Sequence, residues 1–113
     1  MSPGRIIAMK WLRFMLDGRE TLGALEGDAV RVYVGDLFGP HEHTTQTLPV
    51  AGLHWLTPCV PGKIIGLWNN FRAAAAKNQW AEPAEPLYFL KANSSALAHG
   101  QPIPVPPAYD GRV

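Results

Sequence analysis

The sequence predicts a mixed α/β, β-rich fold: a small antiparallel sheet in the first half, followed by a second piece with strands on either side of one short helix. Three observations carry this reading. Two turn signals, Asp17-Gly18 and Glu26-Gly27-Asp28, separate three strand-patterned runs between Met9 and Val34. Two nearly continuous apolar runs, Ile64 to Trp68 and Leu87 to Leu90, flank the alanine-rich stretch Ala73 to Ala76. Eleven Gly and eleven Pro in 113 residues that are 47% hydrophobic describe a turn-rich chain able to build a core.

Taken in order, residues 1 to 8 precede the regular pattern and read as an extended or misassigned start. Met9 to Leu16 is rich in large side chains and forms the first strand, Thr21 to Leu25 the second and Ala29 to Val34 the third, together a three-stranded meander. The two-residue period of a strand sends Val30, Val32 and Val34 to one face and Arg31 and Tyr33 to the other. Residues 35 to 49, punctuated by Gly35, Gly39 and Pro40, read as loop or irregular structure. Trp55 and Leu56 pack at the edge of the main body, and Pro58, Pro61 and Gly62 form an elbow around Cys59.

Lys63 to Pro107 organises the rest: two buried strands joined through a helix that Asn69 or Asn70 caps and whose narrow face is Phe71, Ala74, Ala75 and Asn78. Pro83 and Pro86 stiffen the connector to the second strand, which ends in Lys91. Asn93, Ser94 and Ser95 make a polar turn, and prolines 102, 104, 106 and 107 hold an irregular extended tail.

Composition excludes several function classes. Ten basic and nine acidic side chains leave a net charge of +1, and the basic residues form no run or stripe, against an electrostatic nucleic-acid binder. One cysteine, Cys59, permits no internal disulfide, which fits a reducing cytoplasm. Lys10, Arg13 and Asp17 interrupt the N-terminal apolar stretch, so no membrane span or signal peptide is expected there.

The chemistry-bearing residues gather at the ends of the two apolar strands. Asn69 and Asn70 follow the first; Lys91, Asn93, Ser94 and Ser95 follow the second. Lys91 can orient a carboxylate, Asn70 can offer amide hydrogen bonds, and Ser94 or Ser95 can support an oxygen-rich ligand. The competing readings are a helix cap, a solvated lysine and turn serines. His41 and His43 share one face if extended, yet lack a visible third ligand; Glu82 and Glu85 lie in a proline connector that cannot be helical. No P-loop, dinucleotide fingerprint or nucleophile elbow is present.

Ile64 to Phe71 (IIGLWNNF), Leu87 to Lys91 (LYFLK) and Ser94 to Pro104 (SSALAHGQPIP), in this order and separation, resemble the fumarylacetoacetate hydrolase family. The resemblance implies that residues 9–57 are a small N-terminal β domain and residues 58–113 the beginning of a catalytic domain, an incomplete piece of that family's mixed β-roll. It implies a parent enzyme, homodimeric and cytoplasmic, acting on small oxo-dicarboxylates in aromatic-compound catabolism by isomerisation, decarboxylation, hydration or C–C hydrolysis. Mg or Mn would be bound by the parent's carboxylates, none by this chain alone. Lys91 and Asn70 would be catalytic, with Arg72, Ser94 and Ser95 binding substrate.

Two departures from the family pattern stand out. Ala74 and Lys77 occupy the positions of a histidine and a glutamate that activate water in hydrolytic members, and neither can do that work. The family's paired metal-binding glutamates follow the region matching Tyr109 to Val113, so the chain is expected to be a truncated fragment, inactive alone. The alternative is a noncatalytic binding or assembly module that lacks the metal site.

Overall fold

A computed structural model describes residues 8–111 of the chain. The expected extended start lies, up to residue 7, outside the described residues, as do Arg112 and Val113. The chain divides into two compact units, one running to Cys59 and including the residues from Leu97 onward, the other Val60–Ala96.

The first unit is a five-stranded antiparallel sheet in the order β4-β3-β2-β1-β5. Its strands are β1 (Trp11–Leu16), β2 (Arg19–Glu26), β3 (Ala29–Gly35), β4 (His41–Pro49) and the short β5 (His54–Trp55). The first hairpin closes on Asp17 and Gly18, at φ 49° and 75°, the pair of left-handed residues that a tight turn requires between twisted strands. Phe14, Val30 and Val32 are buried on one face, with Leu12, Leu16, Leu25, Leu48, Val50 and Leu53 packed around them. Val34, two residues further along the same face, runs out of the core and is exposed.

The sheet is larger than the expected three-stranded meander, because residues 41–49 form a strand rather than a loop. The physical reason is local. Asp36 closes the preceding turn, its side-chain Oδ1 accepting from Phe38 N at 2.8 Å and its own N–H donating to Pro40 O at 3.0 Å. Thr44 then donates its hydroxyl to Val32 O at 2.9 Å beside the register shift between Arg31 and Tyr33, so a side chain fills the gap in the ladder. At the other edge Phe14 pairs with Trp55, and Leu56 N donates to Arg13 O at 2.9 Å.

The second unit contains β6 (Ile64–Trp68), helix α1 (Arg72–Asn78), β7 (Leu87–Lys91) and a 3-10 turn at Asn93–Ser95. β6 and β7 form a two-stranded antiparallel ribbon, Ile64 opposite Lys91 and Trp68 opposite Leu87. This corrects the expected mixed β-roll: the architecture is β-rich mixed α/β with two sheets, and the second is an open ribbon, not part of a closed roll. The strands are also not the buried ones expected; every residue of β7 is exposed.

The helix cap differs as well. Phe71 occupies the N-cap with no side-chain bond, while Asn69 takes a left-handed φ of 52° and donates Nδ2 to Ala81 O at 2.9 Å. Asparagine tolerates that backbone, so it ends the strand instead of starting the helix. Of the four residues expected on the helix's packed face only Ala75 is buried, and Phe71 is exposed. The helix stops at Gln79, whose φ of 57° lets the Gln79 and Trp80 N–H groups return to Ala76 O and Ala75 O.

Candidate functional site

All five residues singled out for binding or catalysis lie in the Val60–Ala96 unit, but the antiparallel ribbon separates them. Asn70 follows the end of β6 and Lys91 ends β7, and antiparallel strands finish at opposite ends. The four rises of about 3.4 Å along a five-residue strand place those ends roughly 14 Å apart. Asn70 and Arg72 line one groove of about 310 Å3 with Leu67, Asn69, Glu82 and Glu85. Lys91, Ser94 and Ser95 are not part of its lining.

Arg72, Lys91 and Ser95 each have a local account. Arg72 is exposed and lies 3.4 Å from Glu82. Lys91 holds its Nζ 5.9 Å from the centre of the Phe89 ring. Ser95 donates its hydroxyl to Ala92 O at 2.7 Å, closing the 3-10 turn that also carries Ser94, and Asn93 donates to Gly62 O at 3.2 Å. Within the groove, Asn69 Oδ1 is buried without a hydrogen-bond partner.

His41 and His43 do lie on an extended strand, as part of an aromatic group on the face of the first sheet opposite Phe14, where Leu22 and Ala24 are buried. Trp11 stands edge-on to Tyr33 at 4.8 Å and to His41 at 4.9 Å, and Tyr33 stands 6.1 Å from His43. His41 Nδ1 sits 3.0 Å from Asp36 O and 2.9 Å from Gly39 O, so that nitrogen carries the proton and ties the ring to the turn. Among the described residues no group of three or more His, Cys, Asp or Glu side chains gathers to hold a metal ion.

The arginines of that face are spoken for. Arg13 pairs with Glu20 and donates to Thr57 O at 2.9 Å. Arg31 binds Glu26 through two parallel bonds of 2.8 and 2.9 Å, which hold the Glu26 carboxyl below its ordinary 4.5 and raise the Arg31 guanidinium above its usual value. A depressed carboxylate stabilises the fold above its unfolded pKa and loses that contribution as pH falls through the folded value. The stability difference between the native chain and Glu26→Gln is therefore expected at neutral pH and absent well below pH ~4, as followed by urea midpoints. A difference that persists in strong acid would assign it to packing.

The feature that stands apart is a bare apolar face on the ribbon. Register puts Ile65 opposite Leu90 and Leu67 opposite Tyr88, so these four share one face. They are 60%, 66%, 53% and 70% exposed. The opposite face is partly occupied: Phe89 lies against Gly66, and Trp68 meets Trp80 at 5.2 Å. The signal was present in the sequence, since IIGLW and LYFL are apolar at nearly every position and leave no polar face for water.

Against known proteins, residues 9–58 match the family model described as Rv2993c-like, N-terminal. The chain is 28% identical over 107 residues to Protein Rv2993c of Mycobacterium tuberculosis, covering 94% of this chain and 40% of that protein. It is 29% identical over 94 residues to an uncharacterized protein of Archaeoglobus fulgidus, covering 83% of this chain and 34% of that one. The chain thus spans well under half the length of these relatives. No solved structure matches.

These findings correct the functional expectation. The matching model is described as Rv2993c-like, in place of the fumarylacetoacetate hydrolase family that the three short motifs suggested. The reading as the N-terminal portion of a metal-dependent isomerase, hydrolase or lyase of aromatic catabolism falls with it. Neither relative's name carries such an activity. No helix among the described residues is long and apolar enough to cross a membrane.

Proposed function

We propose that the chain is a noncatalytic binding or assembly module whose β6–β7 ribbon docks onto a polypeptide partner. The bare face of Ile65, Leu67, Tyr88 and Leu90 carries this reading. Single exposed apolar residues are ordinary on a protein surface, but four large neighbours on one sheet face mark an interaction site. A two-stranded ribbon is also marginal in water by itself, so a partner stabilises what it binds. The ion pairs of Arg13 and Arg31 argue against a nucleic-acid partner, and the lone Cys59 fits a reducing cytoplasm.

Photocrosslinking in cells that naturally produce the protein tests this. Benzoylphenylalanine at Leu67 or Tyr88 is expected to give one discrete adduct, whereas Val34, exposed to a similar degree on the first sheet, gives none. The partner identified from the adduct, once purified, binds the native chain and loses at least tenfold in affinity for Leu67→Lys. Diffuse or equal labelling at Val34 and the ribbon would sink the proposal.

A further inference from the structure

We infer that Met9, His41 and His43 form a binding site for one cuprous ion on the first sheet, held by the methionine thioether and one nitrogen of each imidazole. The site stands apart from the ribbon and its partner. The three residues line one cavity of about 510 Å3, together with Tyr33 and Glu42. Sheet twist makes that cavity. Register places Trp11 in line with Ala24, Arg31 and Thr47, far along β4 from His41. The Trp11 and His41 rings nevertheless stand 4.9 Å apart, because twist lifts diagonally opposite corners of a sheet toward each other across one face. Met9, two residues before Trp11, joins the same gathering.

The imidazoles are already set as ligands. His41 Nδ1 donates to the Asp36 and Gly39 carbonyls at 3.0 and 2.9 Å. A backbone carbonyl on the far ring nitrogen is how metal-bound histidines are oriented, and it leaves Nε2 with an unshared lone pair. His43 lies two residues on, on the same face of β4 and about 7 Å away along the strand, a span that two imidazoles can close on one ion. Both rings pack near Tyr33, at 6.0 and 6.1 Å between centroids. The sequence shows only this pair because the donor that completes it comes from the approach to β1. Among the described residues no third His, Cys, Asp or Glu joins it, and strand alternation directs the Glu42 side chain to the opposite face. The third donor is instead the half-exposed thioether of Met9, flexible enough to swing onto an ion.

The donor set selects the ion. Two imidazoles and a thioether offer no oxygen to magnesium or calcium, which take oxygen ligands. Structural zinc is closed by four donors drawn from thiolate, imidazole and carboxylate, and thioether is not among them. Soft thioether sulfur with imidazole suits Cu(I), a closed-shell ion satisfied by three donors. Its single positive charge also matches a donor set that carries no negative charge. The arginines of this face leave no unbalanced charge beside it, since Arg13 pairs with Glu20 and Arg31 with Glu26.

Anaerobic titration of the full chain with Cu(I) against the chelator bicinchoninate tests the site, in a Cys59→Ser background that removes the one thiol. One equivalent is expected to bind, with X-ray absorption showing sulfur beside nitrogen around the metal. Met9→Leu, at a half-exposed position, removes the sulfur signal and weakens binding about tenfold or more with an unchanged circular dichroism spectrum. His43→Gln, also at an exposed position, weakens binding to a similar degree, whereas Met15→Leu leaves affinity and sulfur signal as they were. Zinc in the same titration binds more weakly than copper. No stoichiometric Cu(I) binding, a metal environment of nitrogen alone, or an affinity indifferent to both Met9→Leu and His43→Gln overturns the inference.

Discussion

Phe14→Ala is expected to lower the stability of the first unit by about 3–5 kcal/mol, the cost of emptying a fully buried aromatic site. Phe14 has no exposed surface and sits in the middle of β1, between Thr21 of β2 and Trp55 of β5. With Val30 it is one of only two large side chains wholly shut off from water among the described residues. A sheet this small has few other buried groups to absorb the loss. Since small domains are stable by only about 5–15 kcal/mol, the variant loses a large share of the total. Amide hydrogen exchange on β1 to β4 reads it out, with fast exchange across all four strands as the expected result. A loss under about 1 kcal/mol would mean that the core closes around the gap or lies elsewhere.

Much of the first sheet was legible because its turns are chemically explicit. Asp17-Gly18 and Gly27 fix the hairpins, and the alternation of Val30 and Val32 with Arg31 and Tyr33 fixes the faces. β4 was not legible, since HEHTTQTLP offers the core essentially one large apolar side chain, Leu48, and is held by backbone pairing and the Thr44 hydroxyl. Hydrophobic period cannot report a strand whose contribution is mostly main-chain.

The candidate site was less legible, for a different reason. Apolar pattern marks β6 and β7 as strands but says nothing of their relative direction, and direction decides whether Asn70 and Lys91 meet. The antiparallel pairing sets them at opposite ends. The same pattern does report that both faces of the ribbon are apolar, a stronger clue to function than any polar residue in the unit.

Gly23→Ala separates local preference from packing in the first sheet. Strand propensity favours almost any side chain over glycine, so a purely local view expects stabilisation of up to about 1 kcal/mol. The fold says otherwise. A Cβ built at Gly23 would lie 2.8 Å from the Phe14 ring and 3.0 Å from Arg31 O, and closer still to a Val30 methyl. None of these can give way cheaply: Phe14 and Val30 are fully buried, and Arg31 O belongs to the paired backbone of β3. Overpacking of this kind costs about 1–3 kcal/mol, and that destabilisation is the expected outcome in urea unfolding. Shortening the neighbour should relieve it, so Gly23→Ala combined with Phe14→Leu is expected to be less unstable than the sum of the two, with a coupling of about 0.5–3 kcal/mol. Strict additivity would place the cost in the backbone of β2. Because Gly23 and the ribbon belong to separate compact units, the crosslink at Tyr88 should persist in the single variant. Its loss would tie the docking face to the first sheet's core.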